Sequence, residues 1–333
     1  MILIMNNISY YDKQVIVQNS LCLETYIIGY KHQGEAIVFF VKADGKVQFA
    51  GAVDSYNDRG KNITEEILTE NNIKSLDFIC WTHPDLDHSK GMKEIIDKYA
   101  SSNTNIWIPE GVEAGEINCS DEVRKLFSYL KNEMLLGSAD YRVYSASDKK
   151  DMLFYGPSIC FRHLFKEYPI YIVSYSPNSS RLRVQSYGDR YIKNEKSIFC
   201  MIQIGQVKVG LTGDIENPTI SCLPREVFNQ DYHILKIPHH GSESSRLFTE
   251  KLAANCNIAC STVYRIGNSK LPIESVLKAY NSRSRNVLCT GKLSSKKENE
   301  QYGIITINTD ILNLSYSYDL SGNAEEIFFS KDN

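Results

Sequence analysis

The chain has 333 residues, 42% of them hydrophobic, and carries 37 basic and 40 acidic side chains for a formal charge of −3. That composition supports a full core in one large domain or two modest ones, and it excludes a protein that coats nucleic acid by bulk charge, though not one with a local basic groove. No run reaches the roughly 20 apolar residues of a membrane span, the N-terminus lacks the sections of a signal peptide, and the nine cysteines contain no Cys-x-x-Cys, so reduced thiols, a cytoplasmic location and no membrane contact are expected.

In chain order, residues 21–28, 36–41 and 47–53 read as three apolar strands joined by Gly-containing turns, the third ending at Asp54. A helix follows over 64–71, and then an apolar strand over 76–81. That strand runs into Thr82-His83-Pro84-Asp85-Leu86-Asp87-His88, after which a helix opens with Ser89 as its cap. The segment 106–191 is less regular, with a helix over 121–136 and strands near 158–164 and 170–175. It reads as an elaboration inserted within a single domain spanning 1–333. Strands over 197–204 and 207–211 then form a hairpin about Gly205-Gln206 and lead to Thr212-Gly213-Asp214. A helix over 218–228 precedes the strand 232–237, which stops at Pro238-His239-His240-Gly241-Ser242. The chain closes with helix 244–254, strand 258–263, helix 272–280, strand 286–290 and strands 304–307 and 311–318.

Three strands thus end in residues able to bind a metal. Functional groups of layered α/β sheets gather at the carboxyl ends of strands, and His83, Asp85, Asp87, His88, Asp214, His239 and His240 all stand there. Pro84 keeps His83 out of helical geometry, which lets imidazoles and carboxylates converge on one divalent ion. The plainer reading is a polar loop whose acids and histidines cap a helix. His32, His163 and His233 stand alone and read as structural or surface residues.

The set Asp54, His83-x-Asp85-x-Asp87-His88, Thr212-Gly213-Asp214 and Pro238-His239-His240-Gly241-Ser242 resembles the metallo-β-lactamase fold, in the branch of the hydrolase domain of the DNA-uptake channel protein ComEC. The resemblance runs from about Leu21 to Tyr318. It implies an α/β fold, a four-layer αβ/βα sandwich with an inserted helical and irregular segment and the metal site at one edge of the sheets. It also implies a free-standing enzyme with one or two divalent ions, zinc or manganese. Carried over by motif, Asp87, His88 and His240 hold one ion, His83 and Asp85 the other, and Asp214 bridges them. His239 faces substrate or supports the ligands, and Asp54 braces the loop. Two departures stand out: Asp85 replaces the usual second histidine, a harder ligand that favours manganese or magnesium over zinc. The third-motif histidine has no counterpart, its place being taken by Asn194 and Ser197.

Such a site permits hydrolysis, with Asp87 or Asp214 orienting the attacking water and His239 acting on the substrate. Arg181, Arg183, Arg190, Lys193 and Lys196 form a basic run, and Ser242 opens a helix near the metal, which favours a phosphodiester substrate, nucleic acid or nucleotide-derived. The competing reading of the run is a solvated face opposite Asp189 and Glu195. A role in bacterial anti-phage defence, with a protein partner from the same operon, fits a stand-alone hydrolase of this kind. A lactonase or thioesterase on the same fold and a non-catalytic interaction protein remain the alternatives.

Overall fold

A computed structural model describes residues 12–112, 119–136, 141–148, 150–151, 158–185, 193–293 and 298–329. Its strands are β1 (Lys13–Ile16), β2 (Leu21–Tyr30), β3 (Glu35–Ala43), β4 (Lys46–Val53), β5 (Phe78–Cys80), β6 (Asn105–Pro109), β7 (Arg142–Ala146), β8 (Lys150–Asp151), β9 (Ile159–His163), β10 (Lys166–Ser174), β11 (Cys200–Ile204), β12 (Val207–Leu211), β13 (Tyr232–Lys236), β14 (Cys256–Ser261), β15 (Ser284–Cys289), β16 (Tyr302–Asp310), β17 (Ser315–Gly322) and β18 (Glu325–Glu326). The helices are α1 (Ile63–Glu70), α2 (Leu86–Ser89), α3 (Met92–Tyr99), α4 (Asp121–Leu136), α5 (Ser179–Gln185), α6 (Asn217–Cys222), α7 (Arg225–Phe228), α8 (Leu247–Lys251) and α9 (Glu274–Asn281).

Two sheets form the centre. One runs β17-β16-β2-β3-β4-β5-β6-β7, and the other runs β1-β9-β10-β11-β12-β13-β14-β15-β18 with β8 beside β10. Side-chain alternation along each strand serves both faces. Leu23, Ile27, Ile37 and Phe39 meet Ile202, Val209, Ile234 and Ile258 between the sheets. Ile28, Val38 and Phe40 turn outward beneath α1, α3 and α4, and Leu235, Ala259 and Val287 turn outward beneath α6, α8 and α9. Strands covered on both sides read as nearly continuous apolar runs. The result is the four-layer αβ/βα sandwich expected from the sequence.

The segment 106–191 does more than decorate the site. It supplies β6 and β7 to one sheet and β8, β9 and β10 to the other.

Four local expectations need correction. Ser89 does not cap a helix: it ends the separate turn α2, with its hydroxyl on the Asp85 carbonyl and the Trp81 indole N–H on its own oxygen, and α3 begins after Gly91. The helix expected over 218–228 divides into α6 and α7, because Pro224 lacks the N–H a continuous helix would need. The helix expected over 244–254 is a short 3-10 turn, Glu243–Ser245, followed by the five residues of α8. Ile311 and Leu312 belong to the turn between β16 and β17, not to a strand.

Parallel pairing of β4 with β5, and of β12 through β15, sends their carboxyl ends to one edge. The start of β3, antiparallel to β4, lies at that edge as well.

Candidate metal centre

The site is assembled from the ends of β4, β5, β12, β13 and β14 and the start of β3. Asp54 follows β4 and takes a left-handed backbone at φ 56°. Its Oδ1 accepts the Thr82 amide at 2.7 Å, and its Oδ2 accepts the Thr82 hydroxyl at 2.6 Å and pairs with His88 Nδ1 at 2.7 Å. One carboxylate therefore ties the end of β4 to both ends of the loop after β5.

The other imidazoles are held in the same manner. His83 Nδ1 lies 3.0 Å from the Thr82 hydroxyl, and His240 Nδ1 lies 2.8 Å from the Thr262 hydroxyl, at the end of β14. With each Nδ1 engaged, each Nε2 is left to face inward, the arrangement that orients metal-binding histidines.

What they face is one another and three carboxylates. His240 Nε2 is 3.2 Å from both Asp87 Oδ2 and Asp214 Oδ2, and His88 Nε2 is 3.5 Å from the same two oxygens. His83 Nε2 stands 3.6 Å from Asp85 Oδ2 and 3.8 Å from Asp214 Oδ2. The Nε2 atoms of His83, His88 and His240 and the Asp87 Oδ2 are buried without a hydrogen bond of good geometry. Leaving such groups unpaired is costly, and a shared cation is one partner that would satisfy them together.

A divalent ion fits. Bonds of about 2.0–2.1 Å in a tetrahedron put neighbouring donors about 3.3–3.4 Å apart. The contacts among Asp87, His88, Asp214 and His240 fall on both sides of that value, at 3.2 and 3.5 Å. His83 and Asp85, with Asp214 between the groups, offer a second and more open set, and the Asp85 side chain is 28% exposed. Ser197, in the place of a third-motif ligand, donates its space differently: its hydroxyl oxygen accepts the Asp214 amide at 2.9 Å and fixes that turn.

Without metal, protons hold the cluster together. Burial raises the Asp214 carboxyl, yet the His240 and His88 imidazoles overcome it and hold the group well below its ordinary value. Asp87 is held down against burial by His88 and His240. Burial lowers His240 in turn, but Asp214 carries it up to about 9, and Asp214, Asp87 and Asp54 carry His88 well above its ordinary value.

Glu35, Lys236, Thr262 and Glu216 were not singled out from the sequence. Glu35 offers a carboxylate oxygen within 4.8 Å of ligand atoms of His88, Asp214 and His240. Its Oε2 is already committed, accepting the Thr262 hydroxyl at 2.5 Å and pairing with Lys236 Nζ at 2.7 Å, and it meets His240 through Nδ1. Glu35 is therefore placed to support ligands.

His239 and His240 occupy consecutive left-handed conformations, φ 47° and 51°, followed by Gly241 at 77°. Non-glycine residues there cost about 1–3 kcal/mol each, strain that concentrates at functional sites. The turn swings His240 inward and leaves His239 at the rim. There its Nδ1 lies 3.0 Å from both Glu216 Oε1 and the Ser244 hydroxyl, and its Nε2 lies 3.4 Å from Asn194 Nδ2.

The groups expected to touch substrate are less gathered. Arg181 pairs with Glu195 at 3.3 Å, the Lys196 ammonium donates to the Gly111 carbonyl, and Arg183 is exposed on α5. Arg190 lies outside the described residues, as does Asp189. Ser242 caps the short turn Glu243–Ser245, its oxygen accepting the Ser244 amide at 3.3 Å. That turn is too short to present a helix dipole to an anion. Of the isolated histidines, His163 Nδ1 contacts the Val17 carbonyl at 3.1 Å, and His233 accepts the Lys208 amide at 3.4 Å.

No family model matches the chain, and no curated protein does. Among solved structures it is similar to a Parabacteroides distasonis protein provisionally named a metal-dependent hydrolase, at 14% identity and a TM-score of 0.40, over 78% of this chain and 97% of that one. The likeness is too loose to carry a function, which rests on the side chains described above. No helix among the described residues is long and apolar enough to cross a membrane.

Proposed function

We propose that the protein is a divalent-metal-dependent hydrolase of phosphodiesters, related to the ComEC-type branch of the metallo-β-lactamase fold. The observation that carries this reading is the convergence of buried, unpaired Nε2 and carboxylate atoms from three strand-end loops. Asp87, His88, His240 and Asp214 would hold the first ion, and His83 and Asp85, sharing Asp214, the second. Bound there, a divalent ion lowers the pKa of a coordinated water from ~16 to ~7 and stabilises charge on the oxygen under attack.

The protein's own groups supply the rest. Asp87 or Asp214 would orient the attacking water. His239, backed by Glu216 and Ser244, faces the rim, where it can donate to the leaving oxygen. Asp85, an oxygen donor, supports manganese as the working metal, with zinc the competitor. Arg181 spends its charge on Glu195, which favours a nucleotide-derived diester over a long polymer tracked by a basic groove. A cytoplasmic setting and an anti-phage role with an operon partner complete the proposal.

The test is hydrolysis of bis(p-nitrophenyl) phosphate, a thioester and a lactone by manganese- or zinc-loaded protein. Turnover of the diester alone supports the reading. Turnover of the thioester or lactone instead moves the protein to the alternative hydrolases, and silence toward all three with no metal uptake leaves an interaction protein.

A further inference from the structure

A buried lysine beside a metal site is an expensive group that the mechanism above does not use. Lys236 closes β13 with its side chain fully buried. It is the one charge in the apolar run Ile234-Leu235-Lys236-Ile237. Removing an ammonium from water costs several kcal/mol unless it is fully paired. Glu35 Oε2 at 2.7 Å and the Gly213 carbonyl at 3.4 Å accept its N–H bonds, and Asp214 Oδ1, a buried oxygen with no hydrogen bond of its own, stands 3.6 Å from the ammonium as an ion-pair partner. Two of the three belong to the Gly213-Asp214 turn. The other oxygen of Asp214 is the one that meets His83, His88 and His240.

We propose that Lys236, anchored by Glu35, is a positioning residue for Asp214: it holds Oδ1 so that Oδ2 alone is presented to the metal positions. A carboxylate free to turn can close both oxygens on one ion, which would take it away from the neighbouring position. Lys236 opposes that rotation with a fixed charge on the far oxygen. Glu35 does two tasks in this arrangement, since its Oε2 also receives the Thr262 hydroxyl that steadies His240. The proposal rests on the metal reading of the site and concerns how one ligand is held within it.

The experiment uses cobalt(II) as the probe ion on the full chain. Lys236→Met alone strands the Glu35 carboxylate in the interior and risks misfolding. Lys236→Met combined with Glu35→Gln removes both charges while keeping volume and an acceptor for Thr262. Glu35→Gln alone keeps the Lys236 contact with Asp214. In Glu35→Gln, which keeps the Lys236 charge beside Asp214 but loosens its anchor, the expected cobalt absorption spectrum lies between those of the unaltered protein and the double variant. In the double variant the expected spectrum is weaker and shifted, the signature of a higher coordination number, with cobalt affinity lowered 10–100-fold. Equal spectra and affinities in the unaltered protein and the double variant would overturn the positioning role while leaving the metal site standing. A metal-loaded structure of the unaltered protein in which Asp214 Oδ1 contacts the ion would overturn it without recourse to any variant. Failure of the unaltered protein to take up cobalt removes the metal reading itself.

Discussion

Asp54 Oδ2 stands 2.7 Å from His88 Nδ1, while the same carboxylate receives the amide and hydroxyl of Thr82. A group that touches no expected metal position thus sets both the tautomer of His88 and the path of the loop that carries it. Asp54→Asn keeps an acceptor for the Thr82 amide and tolerates the left-handed backbone, but its NH2 cannot accept the imidazole proton. Manganese or zinc affinity, read by titration calorimetry, should fall 10–100-fold with the fold retained. An affinity unchanged by Asp54→Asn would remove the bracing role.

Metal should stabilise the folded chain, because its ligands converge only there. At a free concentration 100 times Kd the gain is about 2.7 kcal/mol, visible as a raised Tm. His88→Ala and Asp214→Ala should each abolish that increase, as both belong to the closer set of donors. His83→Ala should leave part of it, since His83 contributes to the more open set. A full metal-induced shift in His88→Ala would contradict the assignment.

Why some of this was legible in sequence and some was not follows from how each feature is encoded. His83, Asp85, Asp87, His88, Asp214 and His240 lie in three short motifs directly after apolar strands, so local pattern and the strand-end rule were enough to bring them together on paper. Glu35 escaped because it begins β3 inside what read as a turn, one residue before the apolar run. Lys236 did leave a signal, a lone charge within a strand buried on both faces, and Thr262 another, a hydroxyl at a strand end like the other site residues. Arg181 illustrates the reverse error: a cluster of like charges in sequence says nothing of the Glu195 it meets in space. Pro224 was visible, and its break of the helix over 218–228 was recoverable from proline chemistry alone.

In the metal-free protein, stability should depend on pH through the same cluster. His240 sits at about 9 in the fold against 6.5 ordinarily, so its contribution is complete below pH 6.5 and is lost as pH rises toward 9. Asp214 and Asp87 lie below their ordinary 3.8, so their contributions are present above that value and are lost as pH falls through it. Chelated protein should therefore melt highest at mildly acidic pH and lose Tm between pH 6.5 and 9. Saturating metal, which replaces those protons, should flatten the alkaline limb. A chelated protein whose Tm is level from pH 6 to 9 would contradict the coupling.

The adjacent histidines 239 and 240 offer the sharpest separation of binding from turnover. His240 Nε2 meets two carboxylates at 3.2 Å in the interior, whereas His239 lies at the rim with Nδ1 on Glu216. His240→Ala should lose metal and activity together. His239→Ala should keep its metal and lower kcat by 100- to 10,000-fold on a phosphodiester, the range for a lost proton-transfer group. Glu216→Gln should weaken kcat in the same direction by a smaller factor, because the amide leaves the His239 ring less firmly oriented without removing it. Elemental analysis beside steady-state kinetics reads both quantities. Metal loss in His239→Ala with retention in His240→Ala would exchange the two roles, and full activity in both would sink the hydrolytic mechanism as drawn.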